Sequence, residues 1–124
     1  LMPLAAAAQQ PPVPAGFWRC VLNSPHVSID LEVRVSPDAS LMARGTYILL
    51  GTNAFHRIEG PGRVSLMPPD ATNPNYGYRF QVVPGVVPVF SMFLYPTGDP
   101  NSLYDRFTNP QTGGVMETAC QRTG

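Results

Sequence analysis

The stretch His26 to Ser36 reads HVSIDLEVRVS, and in it Val27, Ile29, Leu31, Val33 and Val35 alternate with Ser28, Asp30, Glu32, Arg34 and Ser36. Successive side chains of an extended backbone point to opposite faces, so this register collects every apolar residue on one face and every polar one on the other. A helix of the same sequence would scatter them round its circumference. The segment is predicted to be a strand with one buried and one wet face. Such a strand needs partners, and the sequence on both sides supplies them.

Ser36-Pro37-Asp38-Ala39-Ser40 carries turn chemistry: proline presets a tight turn and the aspartate can bond nearby backbone. A second long strand follows over Leu41 to Leu50, ended by Gly51-Thr52-Asn53. A short strand over Phe55 to Ile58 is expected to turn at Glu59-Gly60-Pro61-Gly62 and return over Arg63 to Met67. Pro68 to Asn75, rich in Pro, Asp, Thr and Asn, is the longest expected loop and a natural rim for recognition. Tyr76, Tyr78, Phe80 and Val82 then alternate with Gly77, Arg79 and Gln81 in an aromatic-faced strand, turned by Pro84-Gly85. Val86 to Tyr95 reads VVPVFSMFLY, apolar on both faces, which implies that something covers its outer side. Strands at Leu103 to Thr108 and Val115 to Gln121 complete the set, and a first strand precedes His26 with Cys20 inside it.

Fifteen prolines among 124 residues exclude long helices and leave many short strands as the alternative. That length fits one domain, taken as residues 16–124, preceded by a segment 1–15. Eight arginines balance eight acidic residues with no block of like charge, so neither nucleic acid nor an anionic membrane surface finds a basic footprint here. No segment reaches the roughly 20 apolar residues of a membrane span. The absence of lysine fits codon usage in a GC-rich, bacterial genome. Leu1 to Gly16, LMPLAAAAQQPPVPAG, resembles the tail of a secretory signal and its cleavage region, which points to the periplasm or beyond; the alternative is an N-terminal arm that docks on something.

Two cysteines, Cys20 and Cys120, lie near the two ends. In an exported chain they point to one disulfide, and their spacing is unlike that of zinc ligands. The alternative is a pair of buried free thiols in a reducing compartment. Strand-turn-strand units at short spacing suggest an antiparallel meander of about eight strands, and such a meander can close into a barrel. Closure would set the first and last strands side by side, with Cys20 and Cys120 in disulfide reach. A two-sheet sandwich with adjacent terminal strands satisfies the same constraint. Gly16-Phe17-Trp18 in the first strand, with Arg122 just beyond the last, resembles the Gly-x-Trp and C-terminal arginine pairing of the calycin (lipocalin-type) barrels. The resemblance implies that Trp18 closes the barrel floor, that Arg122 packs across it, and that an interior cavity could hold an apolar ligand.

Chemistry-bearing residues are sparse. His26, Ser28, Asp30 and His56 include the residue types of a hydrolase triad, but nothing in their spacing imposes the nucleophile-base-acid geometry. No cofactor or metal motif is present, and cysteines in a disulfide cannot act as nucleophiles. Tyr76, Tyr78 and Phe80, with Trp18, are candidate walls of a ligand cavity or plain core. Phe90, Met92 and Leu94 are the candidate interface for a protein partner or for self-association. The leading expectation is therefore an exported, non-enzymatic binding module, of which an inhibitor of a secreted hydrolase is one kind. A carrier of a small apolar ligand is the alternative, and an enzyme would need His26 or His56 in a cleft beside a carboxylate.

Overall fold

The structure is a computed structural model that describes residues 10–124. The alternating stretch that decides the sequence reading is β2, Val27–Val35, flanked by β1, Gly16–Asn23, and β3, Ser40–Leu49. Then come β4, Ala54–Met67, β5, Gly77–Val82, β6, Phe90–Pro96, β7, Ser102–Thr108, and β8, Val115–Arg122. Each strand pairs antiparallel with the next, and β8 returns to β1, so the sheet is a closed barrel rather than a sandwich.

The alternation works as the pattern requires. Ile29, Leu31, Val33 and Val35 of β2 are buried, while Glu32 and Arg34 stand outside. The other strands add Trp18, Leu22, Leu41, Ile58, Phe80, Val82, Met92, Leu94 and Leu103 to one continuous core. Burial of a large apolar side chain is worth about 1.5–3 kcal/mol, so this interior is the main source of stability.

Cys20 and Cys120 sit directly opposite each other in the β1–β8 ladder, with their sulfurs bonded at 2.07 Å. The bridge spans a sequence separation of 100 residues. In the chain-entropy picture a loop of about that length contributes roughly 4.7 kcal/mol by restricting the unfolded chain, an upper bound for real bridges.

Three local expectations are corrected. Glu59-Gly60-Pro61-Gly62 does not turn: β4 runs straight through it from Ala54 to Met67, changing partners on the way. Residues 54–63 pair with β3 and residues 62–67 with β5. The glycines serve a close approach instead. A Cβ on Gly60 would strike the Val83 carbonyl, and one on Gly62 the Gln81 carbonyl. Pro61 supplies no donor to the ladders, and its carbonyl accepts from Val83 N–H at 2.9 Å. Second, Val86–Val89 is irregular, and β6 begins only at Phe90; Pro84 and Pro88 remove donors that a ladder would need. Third, β5 begins at Gly77, which leaves Tyr76 half-buried before the strand.

Part of the N-terminal segment is docked. Pro14 is buried and its carbonyl accepts from Trp18 Nε1 at 2.8 Å. The Pro12 carbonyl accepts from the Tyr78 hydroxyl at 2.8 Å, and Arg122 Nη1 donates to the Ala15 carbonyl. The Arg122 guanidinium lies over the Trp18 ring, 4.3 Å from its centroid. The signal-like residues 1–9 lie outside the described residues.

Candidate functional site

Of the cavity and interface residues named from the sequence, Trp18, Tyr78, Phe80, Met92 and Leu94 converge on the same interior, Phe90 packs half-buried against it, and Tyr76 lies outside it. Trp18, Tyr78 and Phe80 are 2%, 6% and 0% exposed and pack with Met92 and Leu94 at 1% and 0%. The expectation that Phe90, Met92 and Leu94 form an interface is therefore corrected. They are the cross-strand partners of Val82, Phe80 and Tyr78, and they share the inward parity of those residues. The signal that could have found this is Ser91, the polar residue of the run, which marks the outward parity.

The outward apolar surface of the same segment lies elsewhere. Val83, Val86 and Val89 in the β5–β6 loop and Phe93 on β6 are all exposed, Val86 at 69%. The loop is anchored beneath them: Pro84 is buried and Val87 packs against the core. The Pro68 to Asn75 loop, the other expected recognition element, is exposed through most of its length and is organised by Asp70. That carboxylate accepts from the Thr72 hydroxyl and from the Thr72 and Asn73 N–H groups, each at 2.8 Å, which hold it below the usual carboxylate range.

A second surface covers the outside of β1 to β4. Cross-strand register places Arg19 beside Glu32, Glu32 beside Arg44, and Arg44 beside Glu59. Asp30 accepts from Arg19 Nε at 3.2 Å and Nη2 at 2.7 Å; this pairing holds the guanidinium above its ordinary pKa. Arg44 reaches Glu32 at 3.2 Å. Phe17, Met42 and Phe55 stand exposed at 54%, 46% and 59% on the same face. A hollow of about 690 Å³ lies over its middle, with Phe17, Glu32, Met42 and Arg44 among its walls.

No hydrogen bond joins the triad types to one another among the described residues. Ser28 donates to Asn23 Oδ1 at 3.1 Å and Asp30 is held by Arg19. His26 is exposed in the β1–β2 turn, and His56 stacks edge-on to Tyr47 with ring centroids 6.2 Å apart. Sequence reasoning missed one titratable group. Asp105 shares the inward parity of Leu103 on β7 and is half-buried, so burial pushes its carboxyl above the usual range. No protein-family model matches the chain, and no curated protein matches it either.

Proposed function

We propose that this chain is a non-enzymatic binding module of an oxidising, extracytoplasmic compartment, and that it docks a protein partner through the surface formed by Val83, Val86, Val89 and Phe93. The observation that carries the reading is the exposure of these four large apolar side chains, three of them on a loop whose base is fixed to the core by Pro84 and Val87 and the fourth, Phe93, on β6. Clustered apolar surface on a rigid base is what an interface needs: burial supplies the energy and the anchoring limits the entropy lost on docking. The fully buried Cys20–Cys120 bridge supports the compartment, since such a bond persists where thiols are not kept reduced.

The test is affinity capture from an extract of the native envelope with the wild-type chain and with a Val86→Asp/Val89→Asp variant. Both positions are exposed, so the variant keeps its fold by circular dichroism. A specific protein held by the wild type and released by the variant supports the reading; identical recovery with both removes it. Alkylation of unreduced protein in native cells should find Cys20 and Cys120 blocked, and free thiols there would sink the compartment assignment.

The eight-stranded closed barrel, with Arg122 over the Trp18 ring, supports kinship with the calycin barrels. Ligand carriage on the calycin plan has less support, because Trp18, Phe80, Met92 and Leu94 occupy the interior that a ligand would need.

A further inference from the structure

We propose that two copies of this chain pair face to face through the outer surface of β1 to β4, about a two-fold axis that runs along the strands between β2 and β3. This surface is distinct from the loop surface proposed above, and the inference does not depend on it.

In the charge row Arg19, Glu32, Arg44, Glu59 the sign alternates strand by strand. A two-fold axis parallel to the strands through the row's midpoint exchanges first with fourth and second with third. Arg19 then meets the second copy's Glu59, and Glu32 meets the second copy's Arg44. All four facing pairs are of opposite sign. An axis across the strands would instead set each charge against itself, so the row selects one of the two face-to-face arrangements.

The neighbouring rows obey the same operation. Phe17, Arg34, Met42 and Pro61 stand in one row, and exchange puts Phe17 on the second copy's Pro61 and the apolar stem of Arg34 along its Met42. On the other side, Asp30 meets Thr46 and Val21 meets the stem of Arg57. No like charges face each other in any of the three rows.

Pairing within one sheet explains the contacts of Arg19 with Asp30 and of Arg44 with Glu32. It leaves Glu59 with no ion pair among the described residues and leaves Phe17 and Met42 open to water. The second copy supplies partners for all three. The paired side chains of Arg44 and Glu32 are 73% and 72% exposed and line the hollow of about 690 Å³ over this face.

Sedimentation velocity of the full chain at low ionic strength, from low to high micromolar concentration, is the direct test. The apparent mass should double from 13.5 kDa and the dimer should weaken as salt is added. Two charge-reversed variants locate the face: Glu32→Arg/Glu59→Arg makes the row wholly positive, and Arg19→Glu/Arg44→Glu makes it wholly negative. Each alone should remain monomeric, and an equimolar mixture should form a heterodimer. Melting curves check folding, and a neutral variant, Phe17→Ser/Met42→Ser, should lose the dimer should a reversed row fail to fold. A wild-type chain that stays monomeric throughout overturns the proposal, as does a dimer that survives these changes.

Discussion

Asp105 is a charge the barrel tolerates rather than uses. Its backbone follows Leu103 inward and it faces Thr118 across the β7–β8 ladder, so ionising it costs desolvation that the unfolded chain does not incur. The folded pKa is raised, and the stability linked to it is therefore complete below the unfolded value of about 3.9 and lost as pH rises through the folded value. Replacing the carboxyl by an amide removes that loss. Asp105→Asn should melt slightly above the wild type at neutral pH, with the gap closing near pH 3.5. An equal gap at both pH values, read by calorimetry, would show that packing rather than charge is responsible. Asp38 and Asp70 work in the opposite sense, since hydrogen bonds from Ser40 and from Thr72 lower their pKa values. Their contribution is present at neutral pH and fades on acidification. None of this was legible in the residue types: the inward parity of Asp105 follows from Leu103 and the β8 register, which single-strand reading of Leu103 to Thr108 does not reveal.

At the scale of elements, a cleanly alternating strand is legible in the sequence, and two stretches punctuated by Gly or Pro are not. Val27–Val35 announces its two faces because each apolar residue is followed by a polar one. Glu59-Gly60-Pro61-Gly62 has the composition of a turn, and only the approach of Val83 and Gln81 explains why a strand uses it. Val86 to Tyr95 reads as a single strand in isolation because proline's missing donors count only once a neighbouring strand asks for them. The close approach at β4 gives a direct check: Gly60→Ala must push the β5–β6 loop outward, and overpacking of this kind costs about 1–3 kcal/mol in a denaturant titration. A variant as stable as the wild type would mean that the loop is free to move. The docked arm is a second case of an element set by tertiary contact. Removing residues 1–15 takes the acceptors from Trp18 Nε1 and from the Tyr78 hydroxyl. Each orphaned donor costs about 1–3 kcal/mol where water cannot replace the partner. Because Trp18 is the chain's single tryptophan, the deletion should also shift its emission to the red, and an unchanged spectrum would mean that the arm does not shield its indole.

The whole molecule is a ring of ladders of unequal strength, and the disulfide sits away from the weakest of them. β3 and β4 are in register over ten residue pairs, whereas β6 meets β7 only at Tyr95 opposite Tyr104 and Pro96 opposite Leu103. Beyond those two pairs Phe90 to Leu94 and Asp105 to Thr108 diverge, so the ring's first opening belongs at this seam. With the Cys20–Cys120 bond intact, such an opening leaves a sheet still held in sequence from β7 through β8 and β1 to β6, and closing it again requires only one short ladder to re-form. Without the bond, the β1–β8 ladder must hold the two chain ends together by hydrogen bonds and packing alone. Cys20→Ala/Cys120→Ala should therefore lose about 2–5 kcal/mol of stability. Hydrogen exchange separates this account from a uniform weakening. In the bridged protein the backbone amides of β6 and β7 that face each other should exchange by a local opening, well before those of β2 and β3. In the unbridged variant β1 and β8 should join the fast group, while β2 to β4 continue to report the global unfolding free energy. Uniform acceleration across all eight strands would instead mean that the barrel opens only as a unit and that the seam has no independent existence.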